Sequence, residues 1–240
     1  MRYNRLATKR RGFTLVELLV TITIVIVLAA LVFIISRRAI NAAHNAECVA
    51  NLRNLATAGM SYEAEHGVYP NHGSQRDGSR SFWFKTLEVE LGFEPGTSAA
   101  VIERADIMPT CKKCLRTHGP GTNPNNRHIR TYSMNHDLIG STKNSDDEWV
   151  FPGLRSTRLA NPSATAFFMD GTVAGTGPYW QYLARIGQWV KSENFIHDGK
   201  ANVVFLDGHV ESFRLEEVPT NSEHPFWNPL QRDPDTPKHR

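Results

Sequence analysis

The most hydrophobic part of the chain lies close to its amino terminus. Every residue from Leu18 to Ile35 is apolar except Thr21 and Thr23. The 23 residues of 13–35 form about 35 Å of α-helix, which exceeds the ~30 Å hydrocarbon core of a bilayer. The pattern therefore predicts a single membrane-spanning helix over residues 13–35.

An amphipathic pattern follows this apolar run. Residues 39–66 contain no proline, and apolar or small residues recur there at steps of three and four, which predicts a helix with one apolar face. The positions on that face are Ala42, Ala46, Val49, Leu52, Leu55, Ala56, Gly59 and Tyr62. Gly67 and Pro70 are expected to end the helix. The sequence predicts one continuous helix from about residue 13 to about residue 65, whose second half, 36–66, packs on a head.

Beyond this helix, residues 67–218 alternate long loops with short runs of strand-forming residues. Frequent glycine, proline, asparagine and serine residues predict loops over much of this region. β-Branched, aromatic and other apolar residues predict strands at Thr131–Asn135 and Ala164–Met169. Ser81–Leu91 has the composition of a short helix or strand, and Trp180–Val190 that of an amphipathic turn or helix.

The clearest strand pattern is a hairpin at Asn202–Phe213. Its centre is Asp207-Gly208, which suits a two-residue type I′ turn because both central residues of that turn need positive φ. Five prolines and many polar residues from Pro219 onward predict a flexible tail over 219–240. The predicted fold class is α+β, with a long amino-terminal helix packed on a small antiparallel sheet that has long loops.

A single acidic residue lies inside the predicted membrane helix. A charge in a membrane-spanning segment costs roughly 2.5–3.5 kcal/mol on insertion scales, so such a residue is a functional hypothesis by default. Glu17 is that residue, and it follows Arg10-Arg11-Gly12-Phe13-Thr14-Leu15-Val16. A basic stub, a glycine, a phenylalanine and then a buried acid resemble the class III signal of type IV prepilins and type II secretion pseudopilins.

The resemblance implies a specific maturation and a pilin-like fold. A prepilin peptidase would cut between Gly12 and Phe13 and methylate the new amino terminus at Phe13, so residues 1–12 would be a leader peptide. Glu17 would pair with the amino-terminal amine of a neighbouring subunit, since a carboxylate in hydrocarbon needs a partner. The implied partners are the peptidase, an inner-membrane assembly platform and other pilin or pseudopilin subunits, in homo- or hetero-oligomers. An ordinary signal anchor with an incidental glutamate is the alternative.

The charges of the amino terminus predict the orientation of the chain. Residues 1–12 contain five basic residues and no acidic residue, so their removal changes the formal charge from +3 to −2. Basic flanks stay on the cytoplasmic side of a membrane. The chain is therefore predicted to be a single-pass protein of the inner membrane, with a cytoplasmic amino terminus and a periplasmic or otherwise extracytoplasmic head. A mature charge of −2 gives no reason to expect nucleic-acid binding and argues against a DNA-uptake pilin.

Three cysteines lie in the part of the chain that is expected to be exported. An oxidising compartment permits disulfides between Cys48, Cys111 and Cys114, and the odd number leaves one thiol free or paired between chains. Cys111-x-x-Cys114 is followed by His118 and His128, a spacing that also resembles a zinc site. Disulfides, free thiols and a metal site therefore all remain open.

A second motif lies at the carboxyl-terminal hairpin. Nine residues separate His197 from Asp207-Gly208, and this spacing resembles the H-X9-DG domain that accompanies prepilin-type leaders in large pseudopilin-like proteins. Asp170, His197, Asp207 and His209 are candidate ligands of a structural metal ion, and zinc suits the histidines better than calcium does. In the alternative interpretation Asp207 serves the turn and His197 makes a structural hydrogen bond.

The sequence carries no pattern that is typical of an enzyme. It has no nucleophile elbow, P-loop or GxGxxG motif, so we expect neither catalysis nor an organic cofactor. The resemblance to prepilins implies instead that the chain is a structural subunit of a type II secretion pseudopilus or a type IV pilus-like filament. The alternative is a membrane-anchored, surface-displayed binding module that uses the pilin-type leader only for export.

Overall fold

The structure of the chain is a computed structural model. It describes residues 13–71, 73–74, 80–98, 101–102, 111, 131–140, 142–143, 149–150, 153–171, 183–184 and 186–230. The chain divides into two compact units, of which the first ends at Ala43 and the second begins at His44.

A single long helix, α1, runs from Leu15 to His66. It ends where Gly67 adopts a positive φ of 74° and donates its N–H to the carbonyl of Glu63 at 2.7 Å. Glycine occupies such positions without steric cost, so Gly67 stops the helix and caps its last turn. The prediction of one continuous helix that ends before Gly67 is confirmed.

The part of α1 from Leu15 to Ile35 is apolar on all sides apart from Glu17, Thr21 and Thr23. Its large hydrophobic side chains are exposed, for example Leu15 at 80% and Val32 at 62%. By length and composition this helix is long and apolar enough to cross a membrane. A helix that is hydrophobic all round calls for an apolar environment, which agrees with a single-pass membrane anchor.

The second unit contains a five-stranded sheet of β3 (Tyr132–Asn135), β6 (Ala166–Asp170), β7 (Leu183–Ala184), β8 (Lys200–Phe205) and β9 (Val210–Arg214). The strand order is β7-β3-β6-β8-β9. Four strands pair antiparallel, and the two-residue edge strand β7 runs parallel to β3. The predicted α+β layout of a long amino-terminal helix and a small antiparallel sheet is therefore confirmed.

Shorter elements surround this sheet in the described part of the chain. Two small antiparallel sheets pair β1 (Gly73–Ser74) with β2 (Arg80–Ser81) and β4 (Thr142–Lys143) with β5 (Trp149–Val150). The short α-helices are α2 (Trp83–Thr86) and α3 (Ile186–Trp189). The 3₁₀ turns are His136–Ile139, Ser156–Arg158, Pro162–Ala164, Ser192–Asn194 and Leu215–Glu217.

The two faces of the sheet pack against different parts of the chain. On one face, Phe168 of β6 and Val204 of β8 join a hydrophobic cluster with Leu52 and Leu55 of α1. On the other face, neighbouring positions of the same strands, such as Met169, join a second cluster. Successive side chains of a strand point to opposite faces, so a strand buried on both sides needs a continuous apolar run. Because both faces of β6 are covered, all five of its residues are buried, and four of the five are apolar.

The second cluster corrects the prediction of a flexible tail. Phe226 and Trp227 belong to that cluster and are buried, and the carbonyl of Phe226 accepts the N–H of Ala166 at 3.0 Å. Residues 219–230 thus cover the sheet, because two aromatic side chains offset the effect of the prolines and polar residues around them. Residues 231–240 lie outside the described part.

The turn of the β8–β9 hairpin also differs from the prediction. The hairpin itself is confirmed, but only Gly208 has a positive φ, at 87°, and Asp207 does not. The N–H of Gly208 donates to Phe205 at 2.9 Å, and the N–H of Phe205 donates to His209 at 2.9 Å. This is a three-residue loop that ends in a glycine bulge, so the prediction of a two-residue type I′ turn was wrong.

A two-residue Asp-Gly turn occurs instead just before β8. Asp198 and Gly199 have φ values of 54° and 79°, and the backbones of His197 and Lys200 exchange both hydrogen bonds. Positive φ at both central residues is the requirement of a type I′ turn. This turn fixes the position of His197 at the base of β8.

Candidate functional site

The start of α1 places Glu17 in a reciprocal cap with Thr14. The Oε2 atom of Glu17 accepts the backbone N–H and the hydroxyl of Thr14, each at 2.8 Å, and the N–H of Glu17 donates to the Thr14 hydroxyl at 3.2 Å. A threonine followed three residues later by a glutamate is a capping box, which satisfies the open N–H groups at a helix start. This capping role was not predicted, although the T-x-x-E pattern of residues 14–17 signals it.

The second candidate site is a buried cluster of four side chains whose potential ligand atoms lie close together around a common point. Cys48, Cys111, Asp170 and His197 each present one potential ligand atom, and these atoms all lie within 4.8 Å of one another. All four residues are buried. Four segments that are far apart in the sequence contribute to the cluster: α1, the chain before β3, the end of β6 and the turn before β8.

His197 contacts two members of this cluster. Its Nε2 atom lies 3.2 Å from Oδ2 of Asp170 and 3.7 Å from Sγ of Cys111. Cys48 and Cys111 are not bonded to each other, although a hydrogen bond links their side chains. The cluster therefore joins two sulfur atoms, an imidazole and a carboxylate without a covalent link between the sulfurs.

Hydrogen bonds to the surrounding chain hold the cluster in place. Oδ2 of Asp170 accepts the backbone N–H of Asn202 at 2.9 Å and its side-chain amide at 2.8 Å. The same amide donates to Oδ1 of Asn45 on α1 at 2.8 Å. The N–H of Cys111 donates to the Thr131 hydroxyl at 2.7 Å. Helix α1, β6 and β8 are thereby connected through polar groups in an otherwise apolar region.

The electrostatics of the cluster are dominated by burial and by the contact of Asp170 with His197. Burial raises the pKa of Asp170, and the hydrogen bond from His197 opposes that rise. Burial lowers the pKa of His197, but hydrogen bonds to Asp170 and Cys111 outweigh it and raise the pKa to about 9. The pKa of the Cys48 thiol is raised, mainly by a hydrogen bond to Cys111 and to a smaller extent by burial. The second carboxylate oxygen of Asp170, Oδ1, is buried and accepts no hydrogen bond from any residue that the structure describes.

The predicted metal ligands separate into two groups. Asp170 and His197 lie together in the buried cluster, where Cys48 and Cys111 join them. Asp207 and His209 contact each other instead, with Oδ1 and Nδ1 at 2.5 Å in the loop after β8, and they are not part of the four-residue group. The interpretation in which all four candidate ligands converge on one ion is therefore not the arrangement that the structure has.

The partners that were not predicted have a signal in the sequence. Cys48 lies one helical turn before Leu52 and two turns before Leu55, on the apolar face of α1 that packs in the head. Of the Cys-x-x-Cys region, only Cys111 is described, while Cys114, His118 and His128 lie outside the described residues. Gly12 also lies outside them, and Phe13 directly precedes the capping box.

The comparison with known proteins adds one finding at the amino terminus. Residues 7–33 match the prokaryotic N-terminal methylation motif. The match includes Gly12, Phe13 and Glu17, so the chain carries a pilin-type signal for export and processing of the kind that prepilin peptidase cleaves. No curated protein and no solved structure matches the chain. The motif points to a structural subunit rather than an enzyme.

Proposed function

We propose that this chain is a structural pilin- or pseudopilin-like subunit that assembles into a type II secretion pseudopilus or a type IV pilus-like filament. The observation that carries the proposal is the methylation motif at residues 7–33 together with the continuous helix Leu15–His66. In the proposed pathway a peptidase cuts between Gly12 and Phe13 and methylates Phe13. The basic leader keeps the amino terminus in the cytoplasm, and the head is exported.

The proposed assembly contact uses the one acid of the apolar segment. Glu17 stabilises its own helix start through Thr14. These two contacts come from neutral donors, so they leave the negative charge of the carboxylate uncompensated. A positively charged amine at the processed Phe13 of a neighbouring subunit would compensate that charge in hydrocarbon, where an unpaired charge is costly. Cap and assembly contact are therefore two separate roles of one side chain.

Substitutions at Glu17 and Thr14 separate these roles. Glu17→Gln keeps a side chain that serves in a capping box but removes the charge, so we expect processing without assembly. Thr14→Ala breaks the cap but keeps the charge, so assembly should persist. Gly12→Ala should block processing. The measurements are mass spectrometry of the mature amino terminus and recovery of sheared filaments or of crosslinked oligomers in membranes. Normal assembly of Glu17→Gln would refute the charge-pairing role.

The alternative of a surface-displayed binding module rests on the large, loop-rich head. Exposed tryptophans would allow such a module to bind sugars, but Trp83, Trp189 and Trp227 are buried in the two hydrophobic clusters. They serve packing and give that alternative no support. Under this alternative, Glu17→Gln would leave the protein processed, anchored and unchanged in its oligomeric state.

A further inference from the structure

We propose that Cys48, Cys111, Asp170 and His197 form a structural site for a zinc ion that ties helix α1 to the sheet of the head. The proposal goes beyond the filament function and does not depend on it. Two thiolates, an imidazole and a carboxylate are donor types that zinc takes in tetrahedral sites. Hard cations such as calcium and magnesium prefer oxygen ligands alone, so this donor set selects against them.

The distances in the cluster agree with a tetrahedral centre. Bond lengths of 2.0–2.3 Å to zinc place a nitrogen and an oxygen ligand about 3.3 Å apart, and a nitrogen and a sulfur ligand about 3.6 Å apart. In the cluster, His197 Nε2 lies 3.2 Å from Asp170 Oδ2 and 3.7 Å from Cys111 Sγ. Two sulfur ligands would lie about 3.8 Å apart, and all four donor atoms are within 4.8 Å of one another.

The unpartnered oxygen of Asp170 supports the same assignment. A buried polar atom normally has a partner, since leaving it without one is costly. Oδ1 of Asp170 has none in the described part of the chain, while Oδ2 is held by Asn202. The carboxylate is thus short of hydrogen bonds, and a cation at the common point of the cluster would compensate the negative charge that remains on it. Its contacts to Asn202 would then orient it, as outer hydrogen bonds do for metal-ligating carboxylates.

The closed environment points to a structural ion rather than a catalytic one. Cys48, Cys111 and Asp170 have no solvent exposure, and His197 has 7%. Four protein donors would complete a tetrahedral shell and leave no open position for water or substrate. Because the donors come from four distant segments, the ion would link elements that are otherwise held by packing and a few hydrogen bonds.

Metal analysis of the full chain in detergent, purified from membranes without chelators, tests this proposal. We expect about one zinc ion per chain, retained through dialysis and released by an organomercurial that modifies the thiols. Replacement by Co²⁺ should give thiolate-to-cobalt charge-transfer absorption, which reports cysteine coordination independently of any variant. A chain without zinc, whose peptides show a Cys48–Cys111 disulfide or two thiols that alkylate freely after denaturation, would overturn the proposal.

Variants with matched controls identify the ligands. Cys48→Ser and Asp170→Asn should lose the metal and the cobalt spectrum, and Asn202→Ala should weaken zinc binding about 10- to 100-fold because it orients Asp170. Cys114→Ser and His209→Gln are the cysteine and histidine controls and should retain one metal per chain. Retention by Cys48→Ser, or loss in either control, would overturn the four-residue assignment.

Discussion

The glycine near the carboxyl-terminal end of α1, Gly59, provides a quantitative test of the packing in the head. A Cβ atom at Gly59 would lie 2.2 Å from Cζ and 2.6 Å from Cε1 of Phe167. Carbon atoms in contact are normally 3.5–4.0 Å apart, so the ring would have to retreat by about 1.3 Å. Phe167 is fully buried, and the rings of Tyr69 and Phe168 lie 5.3 and 4.3 Å from it. The ring therefore has little room to move.

Gly59→Ala places two effects of known size in opposition. Alanine is favoured over glycine in a helix by about 0.8–1.0 kcal/mol. Adding a methyl group to a well-packed core costs about 1–3 kcal/mol, and the closed surroundings of Phe167 favour the upper part of that range. We expect a net destabilisation of about 1–2 kcal/mol, which lowers Tm by roughly 2–8 °C for a domain of this size.

Thermal unfolding of the full chain in detergent, followed by tryptophan fluorescence, measures this effect. Ser61→Ala is the matched control, because Ser61 is exposed on the same helix and gains only helix propensity, up to about 0.5 kcal/mol. In a double-mutant cycle, Phe167→Leu should remove part of the cost of Gly59→Ala, because a smaller side chain makes room for the methyl group. A Tm that rises in Gly59→Ala, or strict additivity of the two substitutions, would refute this account of the packing.

Two further predictions test the turn before β8 and the segment after β9. Gly199→Ala should destabilise the chain by about 1–2 kcal/mol in urea unfolding, because φ is +79° there and the space around the glycine is open. Gly187→Ala is the control: it also has open space but no positive φ, so it should be neutral or stabilising. Equal effects of the two substitutions would contradict the argument that backbone strain at residue 199 causes the loss. Trp227→Ala should cost about 3–5 kcal/mol because the side chain is buried, while Leu230→Ala, at a position 46% exposed, should stay within about 0.5 kcal/mol. A Trp227 variant as stable as its control would restore the prediction of a loose tail.

The helices and strands with strong periodicity were predictable from sequence because their pattern is local. The apolar run, the amphipathic face and the end at Gly67 are all encoded within α1 itself. The tail prediction failed because composition counts prolines and polar residues, whereas Phe226 and Trp227 decide burial through contacts with β6 and β8. The turn prediction failed because Asp-Gly serves both a type I′ turn and a loop whose last residue is a glycine bulge.

The buried cluster could not be predicted from any single sequence motif. The H-X9-DG motif placed His197 and Asp207 among the candidate ligands of one metal site, together with Asp170 and His209. The structure divides that motif, with Asp207 in the exposed loop after β8 and His197 facing Asp170 and Cys111. Nothing local in the sequence indicates that residues 48, 111, 170 and 197 meet, because their meeting depends on the antiparallel order of the sheet and on how α1 lies against it.

The polar contacts of α1 in the head explain how the helix keeps one orientation there. An apolar face of leucine and alanine residues tolerates small rotations about the helix axis, since hydrophobic contacts are not directional. Asn45 and Cys48 lie three residues apart on the same face. Asn45 receives the Asn202 amide at 2.8 Å, and Cys48 reaches the buried cluster. Rotation of the helix would break both contacts and leave buried polar groups without partners, which is costly. The hydrophobic pattern therefore selects the face of α1 that packs, and these two directional contacts fix its angle.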